Sequence, residues 1–193
     1  VRNMPEKLHS MRFLNLMPAT IFTRNIDEID KFIKKHKKIV IKPTHGYGGK
    51  NILFVDKRLK KKKILSYIDK HNQVMVQKFL PKIEKGDKRV FVIGGVIKGA
   101  IRRVPAPGSI VSNIGQGGMP IKTSLTKQEL KIVKIVATNL KKNKIVFAGI
   151  DLISGYLTGD INITSPTGLK NYKDLTGINL AVDFWNYLEK NKK

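Results

Sequence analysis

The chain has no cysteine among its 193 residues. Disulfides, thiolate nucleophiles and cysteine-built zinc sites are therefore excluded, and a reducing, cytoplasmic setting is the expectation. No apolar run approaches the length of a bilayer span and no signal-peptide pattern opens the sequence, so no membrane role is expected. Acids are scarce: 14 Asp and Glu stand against 38 Lys and Arg, a net charge of +24. Such a charge would ordinarily point to a polyanion, because neutralising phosphates releases counterions. Here 31 of the cations are lysines and seven are arginines, the lysines gathered in Lys34-Lys35-His36-Lys37-Lys38, at 60–63, at 141–142 and in the tail. Those segments read as helix ends and exposed faces, where a cation complements a helix C-terminus. Neither aromatic stacking platforms nor an arginine-rich reading helix accompanies them, so nucleic acid is not the expected partner.

What is present is a hydrophobic content of 41%, enough over this length for one domain or two small ones. Residues 19–23 predict a short strand. Asn25-Ile26-Asp27-Glu28 has the form of a capping box and predicts a helix to about His36. Strands are expected at 39–42, 52–55 and 74–77, with a lysine-rich helix between the last two carrying Ile64, Leu65 and Ile68 on one face. Beyond Pro81 the texture is β-rich: 88–93 and 96–103 flank Gly94-Gly95, a dipeptide suited to a hairpin turn. Residues 105–120 form a long Gly- and Pro-rich loop of the kind that either serves as a lid or is mobile. Thr126-Lys127-Gln128-Glu129 is a second capping box, opening a helix faced by Leu130, Val133, Ala137 and Leu140. Strands follow at 147–153 and 161–164, and Thr176 is placed to cap a final helix through Leu180, Phe184 and Leu188.

Three groups of residues carry chemistry. Lys42 ends an apolar β-branched run and is followed by Gly46, Gly48 and Gly49. Glycines let backbone N–H groups approach an anion, so the loop suits phosphate, although hairpin turns of this composition also occur without a ligand. Asn51 after Lys50 and a strand at 52–55 exclude a Walker A loop. Asp151, Asp160 and Asn162 lie on two neighbouring expected strands, with Asp160 and Asn162 on one face. Such oxygen donors suit Mg²⁺; the alternative is a turn after Gly159 with Asn162 bonded to backbone. Arg89 and Arg103 offer planar forks for carboxylate or phosphate. The backbone of Gln77, Lys78, Phe79 and Leu80 is placed to read a nucleobase edge, and Ser165 and Thr167 either hold a small carboxylate or sit in a plain turn.

Taken in order, Asn3-x-Pro-Glu-Lys-Leu, Ile-x-Lys42-Pro with its Gly-x-Gly-Gly loop, Gln77-x-x-Leu-Pro, Gly-Asp87-Lys-Arg89-Val, Arg103-x-Pro, Ala-Gly-Ile-Asp151 and Ile-Asn162-Ile-Thr-Ser165-Pro-Thr167-Gly resemble bacterial glutathione synthetase of the ATP-grasp superfamily. The resemblance spans essentially the whole chain. It implies an α+β ATP-grasp fold with nucleotide bound between two lobes, residues 1–80 and 81–193. It also implies ATP-dependent ligation of γ-glutamylcysteine to glycine through an acyl phosphate, with Mg²⁺ or Mn²⁺.

By that resemblance Lys7, Lys42 and the loop glycines hold the ATP phosphates, Gln77 to Leu80 the adenine, and Asp87 lies near the ribose. Asp151, Asp160 and Asn162 carry the metal, Arg89 and Arg103 stabilise the transferring phosphoryl group, and Ser165 and Thr167 touch the peptide substrate. Members carry a further N-terminal domain, so the chain, which opens at Val1, is expected to be a portion of a longer, oligomeric enzyme. Two departures bear on the site. Asp160, with Gly159 beside it, stands where the family has Glu, which predicts a displaced or weakened metal site. Ile110-Val111 replace a Glu-x-Arg element, which predicts altered lid closure.

Overall fold

Antiparallel pairing organises the chain into two sheets, seen in a computed structural model that describes residues 6–46, 48–56 and 59–191. Asn3 and Pro5 of the opening motif and Tyr47 of the glycine loop lie outside these residues. The first sheet runs in the order β1 (Thr20–Thr23), β4 (Val74–Lys78), β2 (Ile39–Pro43), β3 (Leu53–Val55). Helices α2 (Ile26–His36) and α3 (Lys61–His71) belong to this lobe, and Ile29, Phe32, Ile64 and Ile68 form one core with Ile39, Ile41, Val74 and Val76. Because side chains alternate across a strand, Met75 points the other way and joins the core of the second lobe.

The second sheet runs β7 (Met119–Lys122), β6 (Val96–Val104), β5 (Asp87–Ile93), β8 (Phe147–Ile153), β9 (Tyr156–Asn162). On one face Val90, Val92, Ile150 and Leu152 pack with α4 (Lys127–Lys142). On the other, Phe91, Ile93 and Ile101 pack with α5 (Leu169–Thr176) and α6 (Leu180–Lys190). Asp87, Arg89 and Arg103 continue the rows of Phe91 and Ile101 beyond the end of that apolar layer. Helix α1 (Glu6–His9) and the 3-10 turn Ser10–Leu16 lie against β9, and Phe13 and Met17 are buried in the core of the second sheet. The opening residues, early in the first lobe by sequence, thus pack with the second.

Several expectations need correction. At α2 the Asn25 side chain does accept from the Asp27 and Glu28 amides, but Glu28 takes the Thr23 hydroxyl instead of closing a capping box. The box at Thr126 and Glu129 is complete. The buried stripe of α4 runs through Ile132, Val133, Val136, Ala137 and Leu140, leaving Leu130 half-buried. Strand β7 replaces the end of the supposed loop; an edge strand tolerates its Pro120. Strand β9 begins at Tyr156, not Ile161, and ends at Asn162. Thr176 ends an unanticipated helix, α5, while Asn179 caps α6 through the Ala181 amide. Lys60 to Lys63 occupy the N-cap and first turn of α3, where the helix dipole opposes them. Only Lys61 has an ion pair there among the described residues, with Asp30 at 2.8 Å.

Candidate active site

A cleft opens between the two sheets. One end is apolar, lined by Val40, Ile52, Phe79, Leu80, Ile83 and Ile153. Its other end is ionic, with Lys7, Lys42, Asp87, Arg103, Asp151, Asp160 and Asn162. Two loops roof it. Gly48 and Gly49, from the β2–β3 connection, adopt φ of +66° and +73°, which only glycine takes without strain. Opposite them stand Ile110 to Asn113 of the long loop. The roofs touch: Gln116 donates to the Gly48 carbonyl, and a Cβ on Gly49 would come within 2.6 Å of Val111.

The ionic end is a web of paired charges. Asp160 receives Lys7 Nζ at 3.4 Å on one oxygen and Lys42 Nζ at 3.5 Å on the other. Lys42 also donates to the Thr158 carbonyl at 3.1 Å, and Lys7 to the Gly46 carbonyl at 2.7 Å. Asp151 accepts from Arg89 Nε at 2.9 Å and Nη2 at 2.8 Å, and lies 3.0 Å from Arg103 Nη2. Arg103 in turn forks onto both oxygens of Asp87. Four cations thus face three carboxylates, all but Asp160 nearly removed from solvent.

Burial alone would raise the Asp151 carboxyl, but Arg103 and Arg89 outweigh it and hold the group down to about 2. Burial likewise resists ionisation of Asp160, and Lys42 and Lys7 prevail, lowering its pKa. At Asp87 burial wins and pushes the carboxyl up against the pull of Arg103. Arg103 stays firmly charged: burial opposes this, and the neighbouring Asp151 and Asp87 more than compensate.

A bulge aims Asp160 at the lysines. Between the pairs Ile150↔Ile161 and Leu152↔Leu157, Asp151 faces three residues of β9 instead of one. Gly159 sits there at φ +90°, and a Cβ would meet Met17 Cε and Met75 Sδ at 2.9 Å. The glycine beside Asp160 is therefore the bend itself.

The structure gathers Lys7, Lys42, Gly48, Gly49, Gln77, Lys78, Phe79, Leu80, Asp87, Arg103, Asp151, Asp160 and Asn162 on one cleft. It sets the other four apart. Gly46 stands off the wall and bonds to Lys7 through its carbonyl. Arg89 lies behind Asp151 and donates to Thr167 Oγ1 at 2.9 Å, so its guanidinium is engaged on both sides. Ser165 is exposed, as is Thr167. At the nucleobase end the Lys78 and Phe79 amides are already bonded to the Ala19 and Lys38 carbonyls, at 2.9 and 3.0 Å. Gln77 spans Thr20 Oγ1 and Lys42 Nζ.

Other residues enter unannounced by any sequence signal: Thr158, whose hydroxyl bonds to the Asp151 carbonyl at 3.1 Å, and Ser112, which hydrogen-bonds Asp87. Glu6 could have been found, since it adjoins Lys7 in the opening motif.

Among the described residues no three His, Cys, Asp or Glu side chains gather as a metal cage. The donor set still fits a hard cation. Asp151 and Asp160 are held ionised, and the Asn162 nitrogen donates to Asp151 at 3.2 Å and to the Gly149 carbonyl at 3.1 Å, which leaves its oxygen as acceptor. Both carboxylates are now neutralised by lysine or arginine. A divalent ion would therefore fit when ligand oxygens draw Lys7, Lys42 and Arg103 away and complete its shell, with Arg89 staying behind Asp151.

Two facing antiparallel sheets with an ionic cleft roofed by a glycine loop define an ATP-grasp fold. A solved ATP-grasp ligase shares it: PsnB, in complex with minimal precursor, Mg and ADP, superposes with a TM-score of 0.70 at 17% identity, covering 98% of this chain and 59% of that one. D-alanyl-alanine synthetase A from Vibrio cholerae gives 0.61 at 14% identity, covering 83% and 56%.

The chain belongs to the prokaryotic glutathione synthetase family, whose ATP-grasp domain model matches residues 6–177. It is 38% identical over 195 residues to glutathione synthetase of Bradyrhizobium diazoefficiens, covering 100% of this chain and 62% of that protein. To the Synechocystis enzyme it is 35% identical over 193 residues, covering 98% and 60%. The chain thus spans about three-fifths of the curated relatives it matches. Among the described residues no helix is long and apolar enough to cross a membrane.

Proposed function

We propose that the chain carries the nucleotide-binding and phosphoryl-transfer part of an enzyme that joins γ-glutamylcysteine to glycine at the expense of ATP. The observation that carries this reading is the convergence of Lys7 and Lys42 with Arg103, Asp151, Asp160 and Asn162, drawn from helix α1 and both sheets, on one cleft with one apolar end. Adenine would occupy that end, between Val40, Phe79, Leu80 and Ile153. With the Lys78 and Phe79 amides already bonded, the Lys78 carbonyl and Leu80 amide are left to read its edge. Lys7 and Lys42 would take triphosphate oxygens under the glycine loop.

Asp151, Asp160 and Asn162 would hold Mg²⁺, or Mn²⁺ with the same oxygens, which supplies charge neutralisation across the phosphates. Arg103, on the cleft wall, would stabilise charge as the γ-phosphoryl passes to the cysteinyl carboxylate. The glycine amine would then attack the acyl phosphate, forming the amide and releasing phosphate. Arg89 would act from behind by fixing Asp151, and Asp87 by fixing Arg103 instead of touching ribose. Ser165 and Thr167 would meet the peptide substrate at the rim. This chemistry asks for positioning and electrostatics, which the cleft supplies in quantity, and for no dedicated nucleophile. A cytoplasmic ATP pool suits it.

The test is ADP release from Mg-ATP by the chain, with both γ-glutamylcysteine and glycine or with either omitted. Release that requires both supports the reading. Release with a different acceptor carboxylate, or nucleotide binding without turnover on any substrate, would overturn the assignment.

A further inference from the structure

Glu6 holds a segment far along the chain. Its Oε1 accepts from the Ile163 amide at 3.1 Å, the Thr164 amide at 3.3 Å and the Thr164 hydroxyl at 2.8 Å. These donors follow Asn162 directly, where pairing with β8 ends at Gly149↔Asn162. The next residue, Lys7, bonds to the Gly46 carbonyl at 2.7 Å and pairs with Asp160 at 3.4 Å. Two successive side chains of a four-residue helix therefore grip the exit of β9 and the glycine loop. A carboxylate accepting from backbone amides makes strong, directional bonds, so this grip sets where Asn162 stands relative to the lysines.

We propose that Glu6 is a positioning residue for the nucleotide–metal site, acting through Asn162 by fixing the chain immediately after it. This rests on the reading that the cleft binds a metal–nucleotide complex. Glu6 touches neither the phosphates nor the ion in this scheme. Its contribution is to keep the Asn162 oxygen in the one setting at which Asp151 and Asp160 share a ligand with it.

The test is a double-mutant cycle on binding of Mg-AMPPNP, read by titration calorimetry, with amide exchange at Ile163 and Thr164 measured alongside. Glu6→Ala should weaken Mg-AMPPNP by about 5- to 10-fold in the parent and by less than about 2-fold in an Asn162→Ala background. Exchange at the two amides should rise by about 10-fold or more over their neighbours. Glu6→Gln keeps an acceptor oxygen without the charge and should restore affinity to within about 3-fold of the parent. Equal losses in both backgrounds, or equal losses for Ala and Gln, would reduce Glu6 to a general structural or electrostatic contribution and overturn the proposal. A parent chain that does not bind Mg-AMPPNP would instead remove the reading of the cleft itself, and this proposal with it.

Discussion

Replacing Asp160 by Asn should make the protein bind metal-free ATP more tightly and Mg-ATP less tightly, reversing the usual sense of a site mutation. In the free protein the Asp160 carboxylate occupies Lys7 and Lys42, at 3.4 and 3.5 Å. A triphosphate without metal must displace it and then endure its charge. Two unit charges about 5 Å apart interact by about 3 kcal/mol at an effective dielectric of 20. The Asp160 side chain is 29% exposed, so solvent screening reduces this to about 1–2 kcal/mol. The variant should therefore bind ATP in EDTA about 5- to 30-fold more tightly than the parent. With Mg²⁺ the sign reverses, because the ion loses a carboxylate ligand. The assay is calorimetric titration of both proteins with ATP in EDTA and in excess Mg²⁺. Unchanged or weakened metal-free binding, or an unchanged ratio between the two conditions, would refute the idea that Asp160 trades lysines for metal.

Lys42→Ala should weaken nucleotide binding by about 10- to 100-fold, the loss of one charge-assisted contact, while circular dichroism shows the fold retained. Acid should destabilise the protein as pH falls from about 4 to about 2. Asp151 is held below its unfolded value of 3.8, so its contribution, about 2 kcal/mol, is present above that value and lost on descent through the folded one near 2. Asp160 adds in the same direction, and Asp87, shifted upward, acts in the opposite one; urea midpoints across that range measure the net loss. Gly159→Ala should cost about 1–3 kcal/mol in thermal or urea unfolding, from the left-handed backbone and the pressure on Met17 and Met75. It should also weaken ATP binding by shifting Asp160.

Local chemistry made much of the architecture readable. The β-branched run before Lys42, the Gly94-Gly95 turn and the Thr126 box each state their conformation within a few residues. What stayed hidden depended on partners distant in sequence. Strand β7 exists because residues 119–122 pair with β6, against the preference of Pro120. The early start of β9 comes from a bulge that reconciles its register with β8. Thr176 looks like a cap but donates to the Tyr172 carbonyl at the end of α5. In the cleft, the motifs announced the ionic residues one by one. They did not announce that Arg89 stands behind Asp151, or that Asp87 is taken up by Arg103. Those are outcomes of cross-strand placement, since Arg89 pairs with Asp151 and Asp87 with Arg103 in the sheet register.

The burial of Phe13 and Met17 beneath the second sheet has a bearing on biosynthesis. Those side chains are translated more than a hundred residues before β8 and β9, which complete their resting place. A nascent chain could assemble the four-stranded sheet while Phe13 and Met17 still lacked a home. This segment therefore cannot settle in step with its own translation, and closure must bring Phe13 and Met17 onto strands made later.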